Sequence, residues 1–499
     1  STIVVLVFGI GPRDAESGNP EGFFDTLWYG LIRTMDAGAV GGDQGRWSFL
    51  LTGLVSTCGG IFIFSTLIGV IFSGIEGKLD DLRKGRSFVV EQGHTVILGW
   101  NPQVFSIISE LVIANANQSR SCIVILADDD KVEMEDEIRS RVGYLGRTRI
   151  VCRTGSPIDL NDLEIVNPHA ARSIVILAPQ VDDPDSHIIK TILALTNNPR
   201  RRPEPYHIVA EIRDPKNLDV ARMVGRDEAQ LLLAGELISR IAVQTSRQSG
   251  LSVVYTELLD FEGDEIYFQD EPGLVGKTFG DALLAYETSS VIGLRFANGR
   301  VALNPPGSTV INRGDTVIAI SNDDDTIVLS GRASVPIDDA AIVSAVKAPA
   351  IPERTLILGW NRRAAIIVNE LDAYVAPGSL VTLVSDDPDA QPDLDSRCDQ
   401  LHHLALDVLA GDTTDRRLLE SLDLPSYQHV IVLGCSDRLE TQEADARTLI
   451  TLLHLRDMAE REGTDFSIVS EMLDMRNREL AEVTRADDFI VSDKLVSLL

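Results

Sequence analysis

Positive charge is scarce for a chain this acidic: 45 Lys and Arg stand against 75 Asp and Glu, a formal net charge of −30. Neutralising phosphates takes clustered Lys and Arg, so the balance excludes a nucleic-acid binder and favours cations as partners. Cysteine is also scarce. The five (Cys58, Cys122, Cys152, Cys398, Cys435) form no CxxC pair, which excludes a disulfide scaffold and a thiolate metal site. Cys122, Cys152 and Cys435 fall in or beside apparent strands and read as core thiols in a reducing compartment. His94, His169, His187, His207 and the His402-His403 pair show neither metal spacing nor a nucleophile partner. There is no EF-hand loop, no TVGYG-like run and no complete GxGxxG.

What the chain does have is one long run without charge. Ser48 to Ile75 is uncharged over roughly 28 residues, enough to cross a ~30 Å hydrocarbon core as a tilted helix. Before it, the amphipathic stretch Phe23 to Thr34 leads into the turn Asp36-Ala37-Gly38. That segment is too short to span, and an Asp enters a membrane only where it lines water or is buried in protein. A re-entrant pore loop meets that condition, with Thr34, Met35, Asp36, Ala37, Gly38 and Ala39 as the expected selectivity filter. The alternative is a single membrane anchor preceded by an amphipathic loop. Ser1 to Ile10 reads as the tail of a first transmembrane helix that begins before residue 1, and Asp14, Glu16, Glu21 and Asp25 as an acidic outer mouth. Lys78, Arg83, Lys84 and Arg86 follow the span, as expected for a cytoplasmic flank. Gly59 and Gly60 interrupt the apolar run, either for close helix packing or as a gating hinge.

The remainder contains an internal repeat. His94-Thr95-Val96-Ile97-Leu98-Gly99-Trp100-Asn101 returns as Arg354-Thr355-Leu356-Ile357-Leu358-Gly359-Trp360-Asn361, and Ile208-Val209-Ala210-Glu211 returns as Ile468-Val469-Ser470-Glu471. Each copy alternates β-branched runs with helical stretches, the signature of βαβ units on a buried parallel sheet. In the first copy strands are predicted near 95–99, 121–127, 148–153, 173–178, 207–212 and 230–233, a doubly wound, Rossmann-like spacing. At the dinucleotide fingerprint only the first glycine is present, as Gly99 and Gly359, while Asn101 and Asn361 stand where the second belongs. A nucleotide is therefore a weak expectation, resting on those residues with Asp128 and Asp386 as ribose ligands; a lone acid at a strand end is equally a helix cap. Between the copies, about 251 to 332 is β-rich, with Asn298-Gly299 marking a hairpin and 333–352 a linker. The second copy stops without a β-rich lobe, so a faithful repeat implies more chain beyond residue 499.

A pore loop, an apolar helix, a basic joint and tandem Rossmann-like domains resemble a channel carrying two regulator-of-potassium-conductance (RCK) domains. More closely, Asp36-Ala37-Gly38, Gly59-Gly60 before Ile61-Phe62-Ile63-Phe64, Asp81-Leu82-Arg83-Lys84-Gly85, Leu98-Gly99-Trp100 and Cys152-Arg153-Thr154-Gly155-Ser156-Pro157 resemble the CASTOR/POLLUX family of cation channels and its bacterial relatives. The family filter reads close to Ala-Asp-Ser/Ala-Gly-Asn-His-Ala, whereas here Met35 precedes Asp36 and Ala39-Val40 replace Asn-His.

The expected fold class is therefore a membrane α-helical pore domain (outer helix, pore loop, inner helix) over residues 1–90, then α/β cytoplasmic Rossmann-like RCK domains over 91–250 and 346–499. A small α+β lobe and linker over 251–345 separates them. The expected function is a homotetrameric cation channel, permeable to K+ or Ca2+ and gated by a cytoplasmic ring, because one pore loop and two helices cannot enclose a pathway alone. Asp36 either rings the pore with carboxylates or bonds to nearby backbone N–H groups. The resemblance implies Ca2+ as the regulatory ligand, and Ca2+ needs several hard oxygens. Candidate ligands are Asp182, Asp183 and Asp185; Asp128 and Asp129; Asp386 and Asp387; and the equivalent Glu211 and Glu471. Any of these runs is also read as a solvated face. The expected surroundings are a lipid bilayer, with the high Arg share favouring a bacterial plasma membrane over the nuclear envelope of the plant relatives. Two other functions stay open: an NAD(H)- or ion-sensing subunit of a separate transporter, and a membrane-anchored NAD-dependent dehydrogenase.

Overall fold

The computed structural model describes residues 7, 22–24, 27–28, 31–32 and 47–498, except 84, 117, 119, 182, 262, 333–335, 344–348, 464–465 and 484–485. The expected filter, Thr34 to Ala39, and Asp182 lie outside the described residues. The chain divides into two units, Ser1–Ser87 and Phe88–Leu499.

In the first unit one helix runs from Trp47 to Arg83, 37 residues and so roughly 55 Å long. Its segment Leu50–Ile75 has a mean hydropathy of 2.1 and is, among the described residues, the one helix long and apolar enough to cross a membrane. Its apolar side chains face outward: Phe62, Ile63, Val70 and Phe72 are all largely exposed. The hydroxyls of Thr52, Thr57 and Thr66 donate to the carbonyls of Ser48, Gly53 and Phe62, four residues back, at 2.8, 3.0 and 2.8 Å. These three hydroxyls are thus satisfied within the helix, as a hydrocarbon solvent demands. Gly59 and Gly60 lie within unbroken helix, and a Cβ at Gly59 would meet nothing within 4 Å.

The second unit holds three sheets. The first repeat supplies β1 (Thr95–Leu98), β2 (Ser121–Ala127), β3 (Thr148–Thr154), β4 (Ser173–Ile176), β5 (Ile208–Glu211) and β6 (Ala229–Leu232). All pair in parallel in the order β3-β2-β1-β4-β5-β6. β1 is flanked by β2 (Thr95 opposite Ile123) and β4 (Thr95 opposite Ser173), so the order reverses beside it. Val96, Ile97 and Leu98 are fully buried, which is why this strand reads as a continuous apolar run without alternation.

The small lobe follows with β7 (Glu265–Gln269), β8 (Ser290–Arg295), β9 (Val301–Leu303) and β10 (Thr316–Ser321), antiparallel in the order β7-β10-β8-β9. The Asn298-Gly299 turn closes the β8–β9 hairpin, with the Phe296 N–H donating to the Arg300 carbonyl at 2.9 Å and Gly299 at φ 82°. Val291, Leu294, Val317 and Ala319 bury its core against Phe279 and Leu274.

The second repeat, β11 (Arg354–Leu358), β12 (Ser379–Ser385), β13 (Leu404–Ala410), β14 (His429–Val432), β15 (Ser467–Met472) and β16 (Asp488–Val491), gives a parallel sheet in the same order, β13-β12-β11-β14-β15-β16.

The helix after each sixth strand crosses to the other repeat. Ala234–Arg247 buries Ile238, Ile241, Ala242 and Val243 in one core with Ile357, Ile367, Val469 and Ile490 of the second sheet. In return, Ser492–Leu498 packs on Gln103–Ala114 of the first repeat. Arg240 to Glu370 at 2.9 Å and Lys494 to Asp260 at 3.0 Å lace the exchange. Two doubly wound sheets are thereby held with their carboxyl ends around a shared cleft.

Candidate functional site

Ligands of open parallel sheets bind outside the carboxyl ends of the strands, where the order reverses. At that place in both repeats lies a cleft of about 1120 Å³, lined from one side by Asn101, Gln103, Asp185 and Glu211 and from the other by Trp360, Asn361, Arg363 and Ser492.

The turn after the first strand is built alike in both lobes. Gly99 and Gly359 have φ of 105° and 91°, and a Cβ on Gly99 would come within 2.9 Å of the Leu177 carbonyl oxygen. Two residues on, Asn101 is buried: its Nδ2 donates to the Ala178 carbonyl at 3.0 Å and its Oδ1 accepts from the Gln103 N–H at 3.0 Å. Asn361 repeats this, donating to the Gly434 carbonyl at 2.8 Å and accepting from the Arg363 N–H at 3.0 Å. Each asparagine pins the turn after the first strand to the loop after the fourth, the work of a buried amide at a position where a fingerprint glycine would leave backbone bare.

A second device also recurs. Asp185 is almost fully buried, and its carboxylate accepts from the Arg213 and Asp214 N–H groups at 2.9 Å each and from Asn217 Nδ2 at 2.8 Å. Asp445, at the same place in the second repeat, accepts from the Leu473 and Asp474 N–H groups at 2.8 and 3.0 Å and from Asn477 Nδ2 at 2.7 Å. Both carboxylates tie the helix after the fourth strand to the loop after the fifth.

The two equivalent glutamates differ. Glu471 is buried and surrounded by donors: Arg363 Nη2 and Ser492 Oγ on one oxygen, and Asn361 Nδ2 at 2.9 Å and the Gly434 N–H at 3.3 Å on the other. Glu211 has one hydrogen bond, from Gln103, and its Oε2 is sealed from solvent with no partner. Burial pushes its carboxyl above the usual range, against the fields of Arg213 and Arg363.

The other sequence candidates are dispersed. Asp183 is exposed and caps the helix Pro184–Thr196, and hydrogen bonds from Ser186 hold its carboxyl below the usual range. Asp128 and Asp129 stand exposed at the end of β2, and burial followed by the Asp128 charge raises Asp129. Asp386 is paired with Arg447 at 3.0 Å, which also holds Asp412 at 2.8 Å, and Asp387 lies 3.5 Å from Arg438. Among the described residues, Asp323, Asp324 and Asp325 are the one group whose three carboxylates converge, and all three are exposed. Sequence reasoning missed Arg363, Gln103 and Ser492. Their signal was the repeat itself, read position by position.

A profile of the Castor and Pollux family, described as part of a voltage-gated ion channel, matches residues 235–336. Over 99% of its length the chain is 32% identical to a probable ion channel CASTOR of Oryza sativa subsp. japonica, covering 59% of that protein. Over 100% it is 30% identical to a probable ion channel POLLUX of Arabidopsis thaliana, covering 64%. The chain thus spans about three fifths of the length of these relatives, which are named as ion channels and not as enzymes. Among solved structures, a human SLO3 gating ring matches 81% of the chain with a TM-score of 0.56 at 14% identity, covering 81% of that chain. A GsuK channel bound to NAD matches 97% with a TM-score of 0.51 at 16% identity, covering 77%. These likenesses establish the fold of the tandem Rossmann-like lobes.

Proposed function

We infer a subunit of a ligand-gated cation channel from a chain that is similar along its whole length to the CASTOR and POLLUX ion channels. The observation that carries this reading is that the similarity covers both units, the apolar helix and the paired lobes together, and not the Rossmann-like sheets alone. Leu50–Ile75 crosses the bilayer as the inner helix, and four chains around an axis enclose the pathway. Thr34, Met35, Asp36, Ala37, Gly38 and Ala39 form the filter, where a ring of Asp36 carboxylates attracts K+ or Ca2+ and repels anions. Gly59 and Gly60 supply the hinge. The lobes lie in the cytoplasm, in a bacterial plasma membrane protein, and assemble into a gating ring.

Ca2+ binding in the cleft shifts that ring toward one conformation and pulls on the inner helix. Of the acidic candidates, Glu211 is the one we assign as the ion's anchor, because one of its oxygens is unpartnered while Asp185 and Glu471 have theirs engaged. A second reading, nucleotide sensing, has the NAD of one structural neighbour in its favour. Against it stand the buried Asn101 and Asn361 side chains at the second fingerprint position.

Recording from the purified chain in planar bilayers under K+, Na+ and Ca2+ gradients tests the channel. Cation-selective unitary currents are expected. Tetramers that stay silent under every gradient and ligand, NAD included, would refute the reading.

A further inference from the structure

The two repeats bring the same glutamate to the same end of the same strand, yet surround it differently. The turn Gly359-Trp360-Asn361-Arg362-Arg363 aligns with Gly99-Trp100-Asn101-Pro102-Gln103, so Arg363 stands where the first repeat has Gln103. Glu211 lies opposite Leu232 in the β5–β6 register and Glu471 opposite Ile490 in β15–β16, which places Ser492 at the position of Ala234. The two residues that saturate Glu471 with a guanidinium and a hydroxyl are therefore a neutral amide and a methyl group around Glu211.

We propose that Arg363 is a built-in cation that keeps the second-repeat site permanently filled, so that the first repeat alone takes an exchangeable ion. Arg363 is a specificity-determining residue in this scheme: it decides which of two homologous carboxylates answers to ligand. A guanidinium donates to carboxylate oxygens at fixed angles, cannot be deprotonated, and cannot dissociate from its own chain. Its stem also lies 3.8 Å from where a Cβ on Gly235 would be, at the start of the helix that crosses from the first lobe. Ser492, the other donor, opens the helix that crosses back. The filled site thus clamps both exchanged helices in every state, while the open one at Glu211 is free to change them. The fields of Arg213 and Arg363 both reach Glu211, but Arg213 is exposed and neither guanidinium forms a hydrogen bond with that carboxylate's sealed oxygen.

This inference rests on the assignment of Glu211 as an ion anchor only for what it says of the first repeat. Calorimetric titration of the full chain in detergent with calcium chloride separates the two. Arg363→Gln is expected to add one bound ion per chain, and adding Glu471→Gln to that variant is expected to remove it. An unchanged ion count in folded Arg363→Gln overturns the proposal. If Arg363→Gln does not fold, the reverse graft decides: Gln103→Arg with Ala234→Ser is expected to cost the chain one ion, and an unchanged count there, in a chain from which Glu211→Gln does remove an ion, overturns it equally. Glu211→Gln alone tests the functional reading, since a full count in that variant removes Glu211 as anchor whatever Arg363 does.

Discussion

Replacing Asp185 by Ala separates a structural carboxylate from a metal ligand. In the structure it holds two backbone N–H groups and one side-chain amide at 2.8–2.9 Å, out of reach of solvent. Hydrogen bonds to a charged acceptor are each worth about 1.5–3 kcal/mol, and stranded buried donors cost about 1–3 kcal/mol each. Because the three share one carboxylate and the loop can relax, the sum is reduced, and a loss of roughly 3–5 kcal/mol is expected. At about 2–4 °C per kcal/mol for a lobe of this size, that lowers the melting temperature by roughly 6–20 °C. Asp185→Asn keeps one acceptor oxygen and should lose about half as much. The assay is thermal unfolding of the detergent-solubilised chain with a calcium chelator present, so that no ion contributes. Asp445→Ala should match Asp185→Ala, because its three bonds are the same. A chelated Asp185→Ala protein as stable as the parent, with calcium binding lost, would refute the tether and make Asp185 a ligand.

Other outcomes follow from the same geometry. Glu471→Gln leaves the half-buried Arg363 guanidinium without its counter-charge and should destabilise the chelated protein by about 3 kcal/mol in denaturant titration, whereas Glu211→Gln removes a carboxylate with one sealed, unpartnered oxygen and should cost far less. Gly359→Ala forces a side chain into φ of 91° against the Leu433 carbonyl, and a loss of about 1–3 kcal/mol or more is expected by the same measurement. Asp372 is a pH probe. Burial alone would raise its carboxyl, but the N–H groups of His403, His402 and Leu404 hold it below the ordinary range. Its stabilisation is present above the unfolded carboxylate pKa and is lost as pH falls through the lower folded value. Asp372→Asn should therefore be less stable at pH 7 and lose less on acidification below about pH 4 than the parent.

Much of the fold is legible in the amino-acid sequence. The first-repeat strands predicted near 121–127 and 148–153 are Ser121–Ala127 and Thr148–Thr154, because buried parallel strands are continuous β-branched runs that admit few other readings. The apolar helix is equally legible, though it continues to Arg83, beyond the uncharged run, since a helix need not stop where its hydrophobicity does. Strand β7 was missed: Glu265–Gln269 is partly exposed and short, and its pairing with β10 is a long-range fact. The exchange of helices between repeats was invisible for the same reason. At the site, the acidic runs drew attention by composition, while chemistry turned on what surrounds each acid. Asp185 looked like part of a charge cluster, but its match with Asp445, along with Asn217 and Asn477, marks a repeated tether. Glu211 and Glu471 looked equivalent and are not, because Gln103 faces one and Arg363 the other.

The central claim is a cation pathway gated by an ion held at Glu211. Its most direct test is the single-channel open probability of the full chain in planar bilayers as cytoplasmic calcium is raised from none to millimolar, for the parent, Glu211→Gln and Asp36→Asn. The account predicts cation-selective currents whose open probability depends on calcium in the parent, loses that dependence in Glu211→Gln with conductance unchanged, and whose conductance or selectivity alters in Asp36→Asn. Calcium dependence that survives intact in Glu211→Gln, or currents indifferent to Asp36→Asn, would contradict it.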